Sequence, residues 1–229
     1  MRLRVDVAAS LPDMPWRDVH GPARAVVYGL IKRRDPGLAT ELHGSGWQRT
    51  GMRPVGISPP LFVGATARRG VYTTSGRGSV WMGSPVPQIA AALLPAAAGC
   101  GEISWGSVTL GVKGVQLEST PDHRSGEAVF TSISPVLVRH DDRFLLPDDA
   151  MFTDRLVHNV RHKASVLGLP DEAEVEVLDA GYRRRFDVGG AMRIGAVIRA
   201  RVAAAPAVLD ALYDQGLGLY TIQGFGWLR

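Results

Sequence analysis

The residues best suited to chemistry lie near the end of the chain. Gly216-Leu217-Gly218-Leu219-Tyr220-Thr221-Ile222-Gln223-Gly224-Phe225-Gly226 places four glycines in eleven residues, as G-h-G, five residues, G-h-G, with h apolar. Glycine permits positive φ and close backbone approach. Amides exposed in such a run can form a concavity for phosphate. The same spacing also serves a tight helix-to-strand turn with a packing glycine. No Lys-Ser/Thr follows, so the run is neither a Walker loop nor a dinucleotide fingerprint. His158 and His162 are four apart on one face of an expected helix. That spacing can hold a metal, but no third ligand or His-Glu-x-x-His accompanies it, so a solvent-facing pair is expected. Ser58, Ser132 and Ser134 lack a nucleophile-elbow context. Arg183-Arg184-Arg185 forms a basic run beside Tyr182, and Arg68-Arg69 and Arg77 flank loop glycines. Each can follow phosphates or simply face solvent.

These residues need elements to position them. Leu3–Ala9 reads as a strand, and Trp16–Arg33 as a helix with Val26, Val27, Leu30 and Ile31 on one face. Pro36-Gly37 breaks it, and a helical turn carries Leu38–Leu42. His43–Pro60 is a Gly/Pro/Ser-rich loop feeding a strand at about Ile57–Val63. Strands near Gly70–Thr74 and Ser79–Met82, a helix over Pro87–Leu94 and strand character over Val108–Leu117 complete a β-α-β-β-α-β order. Thr120–Glu127 is the best linker. The rhythm restarts with strands at Ala128–Arg139, Glu174–Leu178, Tyr182–Asp187 and Ile194–Val202, and helices at Asp148–Leu167 and Pro206–Gln215. Leu219–Leu228 holds the last strand. The expected architecture is α+β, two tandem ferredoxin-like domains at 1–119 and 127–229, with the glycine-rich run in the second.

The 229 residues suit two such units. The formal charge is only +4, but residues 1–120 hold 13 Lys/Arg against 7 Asp/Glu, and residues 121–229 hold 13 against 15. The basic excess sits in the first half, as a polyanion-binding surface requires. Twenty-three of the 26 basic residues are arginine, which grips phosphate bidentately and stacks on bases. Genomic GC bias would also enrich arginine. No apolar run approaches a membrane span, Cys100 is the single cysteine, and the start alternates in polarity as a strand does. A cytoplasmic protein without metal or cofactor is the expectation.

The glycine-rich end resembles that of the CRISPR repeat-associated proteins, and within them the Cas6-type endoribonucleases that process repeat RNA. The resemblance extends through Tyr28-Gly29-Leu30-Ile31, Leu42-His43 and Arg53-Pro54-Val55-Gly56-Ile57-Ser58-Pro59-Pro60-Leu61, the last similar to a Lys-Pro-Phe-Thr-x-Ser-Pro block. Phe130-Thr131-Ser132-Ile133-Ser134-Pro135-Val136-Leu137-Val138 is similar to the family's Ser-Pro-Ile/Val strand. The resemblance implies tandem ferredoxin-like domains and metal-independent cleavage of CRISPR repeat RNA. The products would carry a 2′,3′-cyclic phosphate or 3′-phosphate and a 5′-hydroxyl. It implies repeat RNA as partner, with other Cas proteins of a multisubunit complex as further partners and the chain a monomer or homodimer.

The resemblance also assigns candidate roles. Such cleavage needs a base for the 2′-hydroxyl and an acid for the departing 5′-oxygen, and histidine suits both. His43 sits where the family carries its histidine; otherwise it would read as a helix C-cap. Tyr28 lies 15 residues before it and Arg49 six after, similar to a Tyr/His/Lys constellation. Tyr28 would orient the reacting groups, or be a core residue. Arg49 or Arg53 would stabilise the phosphorane. Arginine replaces lysine and is a poor proton donor, leaving acid and base work to His43. His20 can assist or replace His43, and Trp47 can stack on a base or cover the core. Gly216, Gly218, Gly224, Gly226, Arg53, Arg183, Arg184 and Arg185 are the expected RNA contacts. A noncatalytic RNA-binding scaffold and a metabolite-binding domain pair are the competing expectations.

Overall fold

A computed structural model describes all residues, 1–229. The first domain opens with strand β1 (Arg2–Ala9), whose alternating Leu3, Val5 and Val7 are buried. After β2 (Asp13–Pro15), the expected single helix is split into α1 (Arg17–His20) and α2 (Ala23–Arg34). The division falls at Gly21-Pro22, where proline removes an amide donor. Asp35 ends α2 and caps α3 (Pro36–Gly44), accepting from Leu38 N at 2.8 Å. Then follow β3 (Gly56–Ile57), β4 (Leu61–Phe62), β5 (Val71–Thr73), β6 (Gly78–Gly83), α4 (Pro87–Ala98), β7 (Glu102–Trp105) and β8 (Val108–Glu118). The main sheet runs β3-β6-β1-β8-β7, with β4 also on β6. Its β1–β8 and β1–β6 pairs are antiparallel. Helices α2 and α4 cover one face of the core.

The second domain comprises β9 (Glu127–Thr131), β10 (Val138–His140), β11 (Arg143–Leu145), α5 (Phe152–Val166), β12 (Ala173–Val188), β13 (Ala191–Ala204) and α6 (Pro206–Gln215). Its sheet runs β12-β13-β9. Expected as one strand, Ala128–Arg139 is interrupted at Ser134-Pro135, again because proline cannot donate to a ladder. The two expected strands between Glu174 and Asp187 are instead one strand, β12, with register shifts near Val177 and Ala180. Gly189 and Gly190 turn it into β13 with φ of 61° and 77°, the geometry of a tight hairpin.

Leu219–Leu228, expected to hold the last strand, pairs with the sheet only at its end. It holds a 3₁₀ turn at Thr221–Gln223 and joins the sheet edge only beyond it. Thr131 and Arg229 exchange both backbone hydrogen bonds, and Ser132 bridges Leu228. The end of the chain thereby takes the fourth-strand place beside β9, and both halves are ferredoxin-like.

Candidate nucleic-acid interface and catalytic cluster

The C-terminal segment is the seam between the domains. Ile222 packs into the first core, Leu217 and Leu228 into the second, and Phe225 joins Leu137 and Phe186 between them. Thr221 donates its hydroxyl to Val55 O at 3.0 Å. Ser134 Oγ accepts from Trp227 N at 3.0 Å, so the serine of the Ser-Pro strand anchors the seam. The glycines make this approach possible. A Cβ at Gly226 would overlap Leu217 O, and one at Gly218 would lie 2.7 Å from Leu137 O.

This corrects the expectation of an open glycine cradle. The amides of Gly216, Gly224 and Gly226 donate to Leu212, Thr221 and Pro135 carbonyls, and all four glycines are buried. The amides of Gly218, Tyr220, Thr221 and Ile222 have no protein acceptor. Tyr220 is left-handed, with φ 59° and ψ 33°, and these residues line a cavity of about 320 Å³. Arg53 lines it from the first domain, and Arg139, His162 and Lys163 line it from the second; no carboxylate does.

His43, Tyr28 and Arg53 meet at one edge of the first domain. The exposed His43 ring lies edge-on to Tyr28, with centroids 5.2 Å apart. Arg53 Nε donates to the Tyr28 hydroxyl at 2.9 Å, and its Nη2 donates to His43 O at 2.9 Å. Tyr28 OH in turn donates to Leu42 O at 3.2 Å. Here α2 supplies the tyrosine, the last turn of α3 the histidine and the following loop the arginine. Arg49 is exposed, with a left-handed φ of 62°, and makes no side-chain hydrogen bond or ion pair. Of the two arginines, Arg53 is the one brought to the histidine.

Other expected residues are placed differently. His20 is 2% exposed and stacks on Phe225 at 4.0 Å with planes 4° apart. Its Nδ1–H donates to Gln223 O at 3.1 Å, and burial pushes its imidazole down to about 4. A neutral histidine wedged in the seam cannot replace His43. Arg184 reaches across the domains instead of presenting its guanidinium freely: it lies 4.4 Å over the Trp16 ring and 4.8 Å over Tyr182. Arg183 pairs with Asp148 at 3.0 Å, while Arg185 is exposed. Trp47 is half-buried against the first core. His158 and His162 are both exposed, as a solvent-facing pair should be, and line a second cavity of about 350 Å³ with His140 and Arg155, which shares Arg139, Asn159, His162 and Leu219 with the first.

Lys163 was missed. It lies one residue after His162, and only its place on the inner face of α5 distinguishes it from a surface lysine. Its side chain is 5% exposed, Nζ donates to Gly216 O at 2.7 Å, and burial pulls its ammonium down to about 7.

Residues 118–229 match the model of the family described as CRISPR associated protein Cas6, C-terminal. The chain is similar over its whole length to a solved Cas6-related protein of Pyrococcus furiosus, with 19% identity, TM-score 0.83 and 97% of that chain covered. It is similar to a RAMP protein whose structure is described as binding different RNA substrates, at 20% identity, TM-score 0.80 and coverage of 100% and 98%. A Thermus thermophilus Cas6 product complex aligns at 16% identity and TM-score 0.67, covering 99% and 98%. No curated protein matches the sequence significantly. Residues 118–229 thus carry the match to the Cas6 C-terminal family, and the whole chain has the double ferredoxin-like fold of the solved Cas6 and RAMP proteins.

Proposed function

We propose that this protein is a metal-independent endoribonuclease that cuts CRISPR repeat RNA within the repeat. The observation that carries the proposal is the Tyr28–His43–Arg53 cluster, an exposed imidazole held beside a phenol that is itself fixed by a guanidinium. His43 takes the 2′-hydroxyl proton as that oxygen attacks the adjacent phosphorus. The bond to the 5′-oxygen breaks, and the imidazolium returns a proton to it. The products carry a 2′,3′-cyclic phosphate and a 5′-hydroxyl. Arg53 stays charged throughout and offsets negative charge growing on the phosphorane oxygens. Tyr28 fixes the orientation of both partners. The cavity beyond Arg53, free of carboxylates and bordered by unpaired amides, suits the neighbouring stretch of RNA backbone.

The test is incubation of repeat RNA with the protein in EDTA, followed by end analysis. Cleavage to cyclic-phosphate and 5′-hydroxyl ends is expected; intact RNA under conditions of full binding would refute catalysis. That second outcome is the binding-only reading. It is favoured by one feature, the use of Arg53 Nη1 and Nη2 to hold Gly51 O and His43 O.

A further inference from the structure

Lys163 presents a physical problem that the cleavage chemistry does not solve. An ammonium on the inner face of α5, nearly removed from water, has one carbonyl as its hydrogen-bond partner and no carboxylate. Burial of an unpaired charge is costly, and proteins retain such groups where something else supplies the countercharge. The elements packed on α5 do not supply it. Asp210 and Asp214 of α6 open to a different cavity, and Glu174 and Glu176 of β12 are exposed, Glu176 paired with Arg201. From β10, Arg139 adds positive charge, and it is paired with Asp142 at 2.7 Å. Arg53 of the first domain adds more, and the His162 side chain of α5 lines the same cavity. The same cavity is lined by Gly218, Tyr220, Thr221 and Ile222, whose amides have no protein acceptor. Buried cation and unused amides therefore converge where the two domains meet.

We infer that this interdomain cavity is a phosphodiester subsite, in which Lys163 and the amides of Gly218, Tyr220, Thr221 and Ile222 hold one RNA backbone phosphate. The inference rests on the RNA-processing role and adds to it a second-domain anchor separate from the Tyr28–His43–Arg53 cluster. A bound phosphate supplies the missing countercharge. It favours the charged amine, so binding is coupled to proton uptake by Lys163. The free protein's ammonium titrates at about 7, against about 10.4 for an ordinary lysine. Between those values the free amine must gain a proton to bind. Affinity from this subsite therefore falls as pH rises above about 7, by up to roughly tenfold per pH unit. Below pH 7 the term is fully present.

The chain has three lysines, Lys32, Lys113 and Lys163, so protein labelled with ¹³C at lysine Cε gives three assignable signals. The experiment titrates the wild type free and bound to repeat RNA carrying a 2′-deoxy substitution at the cleavage position, which blocks cleavage. The Lys163 signal is expected to titrate near 7 in the free protein and to move toward the ordinary lysine value when RNA is bound. Lys163→Met should weaken RNA binding at pH 7 by roughly tenfold or more and lower the salt-dependence slope by about one charge. It should also flatten the affinity profile above pH 7, with His162→Asn showing that the neighbouring imidazole is not responsible. A Lys163 signal indifferent to bound RNA overturns the subsite, whether or not Lys163→Met folds. So does Lys163→Met binding with wild-type affinity and slope. Failure of the wild type to bind RNA at all would instead overturn the RNA-processing role beneath it.

Discussion

His43 is exposed at the end of α3, so truncating it removes a proton carrier without opening a core. His43→Ala is expected to slow cleavage by about 10²–10⁴-fold. Arg53 and Arg49 make a sharper comparison. Arg53→Ala removes the cation beside the phenol and should cost about 10²–10³-fold in single-turnover rate, the scale of one lost transition-state donor. Arg49→Ala should cleave at close to the wild-type rate, since Arg49 touches neither Tyr28 nor His43. Equal losses in the two would place the electrostatic role elsewhere in the loop. The sequence left these arginines undecided because both follow His43 in one glycine-rich loop. Only the backbone path, through positive φ at Gly46, Gln48, Arg49 and Gly51, turns Arg53 inward. Lys163 escaped notice for a related reason. Helical periodicity assigns a face, but the depth of burial depends on the C-terminal segment that packs over it.

At the scale of elements, the glycines divide by what surrounds them. Gly226 has φ 64° and faces Leu217 O, whereas Gly29 in α2 is exposed with no atom within 4 Å of a Cβ. Gly226→Ala should destabilise by about 2 kcal/mol or more, a fall of roughly 4–8 °C in melting temperature. Gly29→Ala should stabilise by about 0.5–1 kcal/mol, because it only removes unfolded-state freedom. Thermal melts of both variants check the pair, and an unchanged melt for Gly226→Ala would contradict the seam. The alternating strands and apolar helix faces were legible in the sequence, as were the β-α-β-β-α-β orders. The breaks at Gly21-Pro22 and Ser134-Pro135 are signalled by proline. The C-terminal segment misled for a physical reason: Leu219, Ile222, Phe225 and Leu228 resemble a strand's apolar pattern. They are apolar because they pack into three different clusters, not because they alternate across a sheet.

For the whole molecule, the joint between domains is polar as well as apolar, and it should respond to pH. His20 is held neutral at about 4, against about 6.5 in the unfolded chain. Between those values the unfolded chain binds more protons. Its contribution is therefore complete above about pH 6.5 and is lost as pH falls toward 4, by up to about 3 kcal/mol. Denaturant unfolding of the wild type and His20→Phe at pH 7 and pH 5 should show the wild type losing more stability between them. Parallel losses would contradict a buried neutral His20. Arg184 over Trp16 and the stacked His20 and Phe225 fix the first domain, which carries the basic excess, against the second, which carries Lys163. RNA bound across this joint would meet the catalytic cluster on one side and the amide-lined cavity on the other. The most direct measurement is single-turnover cleavage of repeat RNA in EDTA by wild type and His43→Ala, with affinity for the same RNA measured in parallel. Wild-type cleavage, with His43→Ala binding equally but failing to cut, is the predicted result. Cleavage by His43→Ala at the wild-type rate, or none by a wild type that binds fully, would contradict it.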